Sequence, residues 1–377
     1  MLNRRQFLAG ATAVAALGAT KSAPPPPSVV LVAIEDLGAW MTGVYGARDL
    51  HTPNLDLLAA SGTRFLHAFT AAPVAKEGFD SLMTGTAAGT GDTILQLLSL
   101  RGFRELSAGG DATAQTSALL SFLDQQKSGQ PFFAVARYAP LRETSKTLDK
   151  YRAQFADVPF TRSGWLPAAR NALDRKPFES IVPHLREAAA AVAAVDDQLG
   201  AIQRKLQERG LADGTLLVIA GANGALLGRH GLWGDGHATN PPNMFEEVVA
   251  VPLVWNWPAQ VPPGSLRPEI VSLCDVLPTL CELTGTPVPS PITGRSMVRA
   301  VLDRPYPKKQ RWPDLACARM DGTLMARDAR YKLVLRIGGP GELYDLANDP
   351  AEAHNRFDEP EFSVVRNDLT RELSNWK

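Results

Sequence analysis

The run SVVLVAI (28–34) restricts the fold of this chain most strongly, because after its first residue it is continuously apolar. A strand without polar alternation is buried on both faces, as the strands of parallel sheets are. The segments PFFAVARYAP (131–140) and TLLVIAG (215–221) have the same character. Between them, apolar residues recur every three or four positions over 184–209, which predicts a long amphipathic helix. Alternating strands and helices predict an α/β fold with a mainly parallel sheet flanked by helices.

The N-terminus resembles an export signal. Arg4 and Arg5 precede a weakly apolar stretch rich in Ala and Gly, the pattern of a twin-arginine signal. The stretch is short for a membrane span, and a cut near Ala23 precedes the run Pro24–Pro27. We therefore expect an exported protein, periplasmic or extracellular, with no transmembrane segment in the mature chain. The alternative is a frayed basic N-terminus.

The sequence pattern changes near residue 300, from alternating strands and helices to short strands and turns. LMARDARYKLVLRIGG (324–339) and GELYDL (341–346) are typical of short strands joined by a Gly-rich turn. We expect a signal segment over 1–23, an α/β core domain over 24–300, and a C-terminal α+β subdomain with a small antiparallel sheet over 301–377.

Charge and cysteine content argue against a nucleic-acid-binding protein and against a fold held by disulfides. Lys+Arg and Asp+Glu both number 39, so the chain lacks the basic character of a nucleic-acid-binding protein. Cys274 and Cys281 lie on a predicted helix, seven residues and about 10 Å apart along its axis, too far for a disulfide. We expect these two and Cys317 to be small buried hydrophobes.

Polar side chains follow two of the predicted strands, at the edge where parallel sheets bind ligands. Glu35 and Asp36 come directly after the first strand, and Asn223 follows the strand at 215–221. Carboxylate and amide oxygens suit a Ca²⁺-type ion. The alternative is structural, with the two acids capping a turn and Asn223 tolerating a left-handed backbone.

The stretch APVAKEGFDSLMTG (72–85) places the polar residues Lys76–Asp80 between small apolar ends. Such a segment is where an α/β enzyme often keeps a reactive side chain, yet its first hydroxyl or thiol is Ser81. The alternative is a solvated loop.

Several segments, in order, resemble the sulfatase family of the alkaline-phosphatase-like superfamily. The opening IEDLGAWMTGVYG and HTPNLDLLAASGTRFLHAF is followed by GRHGLWGDG and FEEVVAVPLVW. DVLPTLCELTG, GRSM, RYKLV and ELYDLANDPAEAHN complete the C-terminal half. The resemblance covers most of residues 28–377 and implies an alkaline-phosphatase-like fold.

The resemblance also implies a reaction. In the family, a Cys or Ser that opens a Cys-x-Pro-Ser-Arg motif is oxidised to a formylglycine, whose diol attacks the sulfate. A Ca²⁺ ion held by four side chains orients the sulfate oxygens. Lys, His and Arg neutralise the charge that develops.

This chain departs from the family's motif at its reactive positions. Pro73-Val74 and Leu82–Gly85 frame the motif, and its nucleophile position is Ala75, which cannot become a formylglycine. The proline, serine and arginine positions are Glu77, Gly78 and Phe79.

The other expected groups are also replaced. The histidine position after the middle strand is Leu141, and the lysine position between two glycines is Asp235. The metal-binding Asp-Asn pair becomes Ala222-Asn223, so only Glu35, Asp36 and Asn223 remain as metal-site residues.

These replacements predict an exported sulfatase-family protein without sulfuric-ester hydrolase activity and with weak or no Ca²⁺ binding. Its ligand or partner is open; an anionic or sulfated ligand and a protein partner both fit, and nucleic acid does not. The alternative is a hydrolase of sulfate or phosphate esters with a rewired or retained site. The groups available to a rewired site are Lys76, Glu77, Asp80, His230, Asp235 and His237. In such a site His230 and His237 would converge on an ion. The alternative for His230 is a structural histidine in a Gly-rich turn.

Overall fold

The structure is a computed structural model, and it describes residues 25–108, 111–127, 129–139, 141, 148–161, 163–307 and 312–376. The predicted signal residues Arg4 and Arg5 lie outside these ranges. In the described part of the chain, no helix is long and apolar enough to cross a membrane.

Eleven strands form two sheets. They are β1 (Ser28–Ile34), β2 (Thr63–Phe69), β3 (Arg104–Ala108), β4 (Phe132–Tyr138), β5 (Thr215–Gly221), β6 (Leu253–Asn256), β7 (Ser265–Ser272), β8 (Ala316–Met320), β9 (Thr323–Arg327), β10 (Tyr331–Arg336) and β11 (Glu342–Asp345). The larger sheet has the order β3-β4-β1-β5-β6-β2-β7, and the smaller has the order β11-β10-β9-β8.

The helices connect and cover these sheets. They are α1 (Pro53–Ala60), α2 (Ala75–Thr84), α3 (Ile94–Ser99), α4 (Ala112–Asp124), α5 (Asp149–Arg152), α6 (Ile181–Glu208), α7 (Glu246–Val249), α8 (Val276–Thr284), α9 (Val298–Val301) and α10 (Ser363–Asn375). Short 3₁₀ turns lie between several of them.

The large sheet is mainly parallel, as the sequence predicted. Only β6 runs antiparallel to its neighbours β5 and β2. Every residue of β1 and β5 is buried, because helices cover both faces of the sheet. The residues of β1 that face α6 and α4 belong to one apolar cluster, and those that face α2 and α8 belong to another.

The C-terminal strands form an antiparallel sheet covered by α10, which confirms the predicted subdomain type. The three cysteines are buried and free, as expected. Cys274 lies in a 3₁₀ turn rather than in the helix itself, because the capping residue Ser272 starts that turn before α8.

Candidate functional site

The sheet brings the predicted strand-end residues together. β1 lies between β4 and β5 and runs parallel to both, so their carboxyl ends share one edge. Glu35 and Asp36 leave β1 at this edge, and Asn223 leaves β5 beside them. We call this edge, with α2 beside it, the strand-edge site.

Asp36 and Asn223 bind each other directly. The Asn223 Oδ1 accepts a hydrogen bond from the Asp36 backbone N–H, and its Nδ2 donates to Asp36 Oδ1, both at 3.0 Å. The same Nδ2 also donates to the Gly224 carbonyl at 3.0 Å. Both residues are fully buried, and Asp36 has a left-handed backbone with φ 60°. The amide of Asn223 therefore closes a two-bond bridge between β1 and β5.

Glu35 is held by a residue that sequence reasoning missed. The Arg137 Nε forms a short ion pair with Glu35 Oε1, and the two side chains are 34% and 10% exposed. The guanidinium also lies over the ring of Phe79, with its carbon 4.6 Å from the ring centroid. The signal was present in the sequence, since Arg137 is the one charged residue of the apolar run PFFAVARYAP.

The segment 72–85 is not a solvated loop, and that alternative is wrong. Its polar residues are the first turns of α2, which begins at Ala75 and ends at the left-handed Gly85. Gly78 is required there, because a Cβ at this position would lie 2.1 Å from the Ala222 carbonyl oxygen. The glycine thus lets α2 approach the end of β5 closely.

The polar residues of α2 do not form a reactive cluster. Lys76 is exposed and pairs with Asp80 one turn later, at 2.6 Å. Ser81 is fully buried, and its hydroxyl donates to the Gly78 carbonyl at 2.8 Å. A buried hydroxyl used inside the helix is not available as a nucleophile.

Leu141 and Asp235, at the expected histidine and lysine positions, contribute to packing and to turn capping. Leu141 is buried in the apolar cluster on the α6 side of the sheet. Asp235 is buried and caps a 3₁₀ turn by accepting from the His237 N–H at 2.9 Å. The following Gly236 donates its N–H to the Pro73 carbonyl at 2.8 Å, which brings this turn against the start of α2.

His230 and His237 take separate partners. His230 stacks on Phe245, with ring centroids 3.7 Å apart, and its Nε2 lies 3.0 Å from Glu247 Oε2. His237 is half exposed and contacts Asp321 at 3.3 Å. In the described residues, the one group with metal-ligand spacing is His230, Glu247 and Glu352, without His237.

Glu247 and Glu352 of that group already form ion pairs with cationic side chains. Arg229 Nη1 lies 3.1 Å from Glu247 Oε1, and the Lys332 ammonium is in short contact with Glu352. Burial opposes ionisation of Glu247, but the hydrogen bond and charge of His230 and the charge of Arg229 outweigh it and bring its pKa to about 2. A divalent ion here would meet an ammonium and a guanidinium at contact distance, so the cluster is an ion-pair network.

Comparison with protein families agrees with the fold. The model of a family described as sulfatase matches residues 27–94 and 92–286. A second family model, described as N-sulphoglucosamine sulphohydrolase, C-terminal, matches residues 237–377.

Curated relatives are distant in sequence. An ulvan-active sulfatase of Formosa agariphila is 22% identical over 93% of this chain and 80% of its own length. Human arylsulfatase A is 23% identical over 90% of this chain and 85% of its own length. An N-acetylglucosamine-6-O-sulfatase of Bacteroides thetaiotaomicron is 27% identical, but the match covers 50% of this chain and 35% of that protein.

Solved structures share the fold. One was determined in complex with its substrate, D-glucosamine-2-N,6-O-disulfate; its TM-score is 0.78 at 18% identity, over 93% of this chain and 97% of that chain. The phosphonate monoester hydrolase of Agrobacterium radiobacter has a TM-score of 0.76 at 17% identity, over 93% and 95% of the two chains.

Proposed function

Because this chain belongs to the sulfatase family, we propose that it is a member that has kept the fold and lost sulfate-ester hydrolysis. One observation carries the proposal. The strand-edge site holds Ala75 at the first residue of α2, where the resemblance expects the nucleophile, and the neighbouring acids are engaged with protein partners. Loss of a catalytic nucleophile alone costs on the order of 10⁶ in rate.

The donor set of the strand-edge site does not fit a Ca²⁺ ion. Ca²⁺ takes six or more oxygen ligands, several of them charged. Here Asn223 Oδ1 accepts a hydrogen bond from the Asp36 backbone N–H, and Glu35 forms an ion pair with the Arg137 guanidinium. Position 222 is an alanine and offers no side-chain oxygen. We therefore expect weak or no Ca²⁺ binding, and formylglycine cannot form at Ala75.

Charge neutralisation at a sulfuryl group also lacks its expected donors. Phe79 lies at the arginine position, Leu141 at the histidine position and Asp235 at the lysine position. Arg137, the cation that contacts Phe79, is shared between that ring and the Glu35 carboxylate. At these three positions, all of which the structure describes, a sulfate ester would therefore meet no cation where its charge develops.

The biological role that follows is binding. The Arg4-Arg5 signal supports export to the periplasm or the exterior, where a sulfatase-fold protein without turnover would serve as a receptor for an anionic or sulfated ligand or for a protein partner. The substrate seen in one structural neighbour, a doubly sulfated glucosamine, supports the anionic class.

The proposal is tested by hydrolysis of an aryl sulfate, with an aryl phosphate in parallel, by purified mature protein with and without Ca²⁺. The control is Asp36→Ala. We expect no rate above that control for either ester. A rate that disappears in Asp36→Ala would overturn the proposal and establish the alternative, a rewired or retained hydrolase site at the strand edge.

A further inference from the structure

A cavity of about 430 Å³ lies outside the strand-edge site. It opens between the segment after β1, the loop after β5 and the N-terminal part of α6. Trp40 and Phe160 supply aromatic wall, and Leu50, Leu185 and Leu227 supply aliphatic wall. None of Glu35, Asp36, Ala75, Phe79 and Asn223 lines it. The volume is within the usual range for small-molecule sites.

The backbone of this cavity is strained at two bulky residues. Phe160 and Leu227 have φ values of 52° and 44°, a left-handed conformation that side chains of this size rarely adopt. Both residues are almost completely buried, and both line the cavity. Such strain persists where the surrounding structure enforces it, and it concentrates at ligand sites.

Two of the polar groups of the wall are held in place. The Trp40 indole N–H donates to the Ala225 carbonyl at 3.0 Å, which fixes the ring. Arg229 lies over that ring at 4.0 Å, and its Nε donates to the Ser163 carbonyl at 2.9 Å. Its Nη1 binds Glu247 at 3.1 Å. The Nη2 group donates to no acceptor within the residues that the structure describes.

Two arginines, Arg48 and Arg229, belong to the cavity lining. Arg48 is exposed at the rim and makes no ion pair within the described ranges. The neighbouring acid, Asp49, already has a partner. Among the described lining residues, a ligand therefore finds guanidinium donors from Arg48 and Arg229 beside an apolar wall.

We propose that this cavity binds a small organic anion whose body is one apolar or aromatic ring. The ring packs against Trp40, Leu185 and Leu227, and the anionic group, a carboxylate, sulfate or phosphate, accepts from Arg229 Nη2 and Arg48. The site is separate from the strand-edge site, so the proposal goes beyond the proposed loss of hydrolysis and does not depend on it.

The test is isothermal titration calorimetry of the mature protein with four probes: benzoate, phenyl sulfate, phenyl phosphate and neutral benzyl alcohol. A ligand of this size is expected to bind with Kd of about 0.1–1 mM. Which of the three anions binds most tightly identifies the anionic group. No heat from any anion, or equal affinity for benzyl alcohol, would overturn the proposal.

Variants locate the binding. Ala47→Trp places an indole in the cavity and should abolish binding, while thermal unfolding verifies that the protein is folded. Arg48→Gln keeps the wall intact and should weaken anion binding at least threefold. The matched control is Arg101→Gln, an exposed arginine that does not line the cavity, and it should leave binding unchanged. Equal affinities in Arg48→Gln and Arg101→Gln, or unchanged binding in a folded Ala47→Trp, would contradict the assignment.

Discussion

Asn223 and Asp36 exchange two hydrogen bonds of 3.0 Å across the ends of β5 and β1. The contact is reciprocal, since each residue donates one proton and accepts one. Both residues are fully buried, so the bridge satisfies groups that water cannot reach. Asp36 and Asn223, which the resemblance places among metal ligands, thus hydrogen-bond to each other at the sheet edge.

Replacing Asn223 should therefore destabilise the fold. In Asn223→Ala, the Asp36 N–H and carboxylate each lose a partner while buried, which predicts a loss of about 2–4 kcal/mol in the free energy of unfolding. Urea denaturation measures it. Asn171→Ala, at an exposed position, is the matched control and should change stability by under about 0.5 kcal/mol. Equal effects of the two substitutions would contradict the structural role of the bridge.

The Glu35–Arg137 pair predicts coupling between two substitutions. Arg137→Met leaves the buried Glu35 carboxylate without its cation, and Glu35→Gln leaves the partly buried Arg137 without its anion. Each substitution should therefore lose about 1–2 kcal/mol. The double variant should lose less than the sum of the two, by about 1 kcal/mol, because no charge is then left unpaired. A double-mutant cycle in urea measures this coupling. Strict additivity would mean that the ion pair does not form.

The low pKa of Glu247 predicts an acid-sensitive contribution to stability. Its folded-state pKa of about 2 is below the ordinary 4.5, so the stabilisation is complete above pH 4.5 and is lost as the pH falls toward 2. The full contribution is on the order of 3 kcal/mol. Glu247→Gln should be less stable than wild type at pH 7, and the difference should shrink on acidification.

The control for this pH dependence is Glu208→Gln, a change at an exposed helix end. Its stability should remain parallel to that of wild type from pH 7 to about 2.5. If Glu247→Gln also remains parallel to wild type, Glu247 does not have a lowered pKa.

The buried contacts of Lys332 predict a loss of stability when this residue is replaced. Its ammonium is fully buried and contacts Glu352, Glu246 and the Met244 carbonyl. Lys332→Met should lose about 2–4 kcal/mol, because it leaves Glu352, whose pKa burial raises to about 8, buried without its partner. Adding Glu352→Gln should recover at least about 1 kcal/mol. Lys76→Met is the control, since Lys76 is exposed and its loss should change stability by under about 1 kcal/mol.

Much of the fold could be predicted because its central strands are buried on both faces. Continuous apolar runs placed β1 at 28–34 and β5 at 215–221, and the observed bounds are the same. The helix predicted over 184–209 begins three residues earlier, at Ile181, because Pro183 is tolerated in a first turn. The local sequence pattern was sufficient to place elements whose burial is continuous, as in β1 and β5, or follows the helical period, as in α6.

The site was only partly predictable, because its contacts join distant segments. The sequence placed Glu35, Asp36 and Asn223 at one edge, but not the bridge between the last two, which spans 187 positions. Arg137 was missed because a charge near the end of an apolar strand has no local partner. The helix at 75–84 was missed because Gly78, a poor helix former, is required there by the approach to Ala222.

The central claim is that the acids of the strand-edge site bind protein groups rather than a metal, which removes the basis for hydrolysis. The most direct measurement is a calorimetric Ca²⁺ titration of the mature protein, with melting temperatures compared in Ca²⁺ and in EDTA. We expect no binding below about 1 mM and equal melting temperatures within about 1 °C. Binding with a Kd near 10⁻⁶ M that disappears in Asp36→Asn, with a melting temperature raised by several degrees, would contradict it.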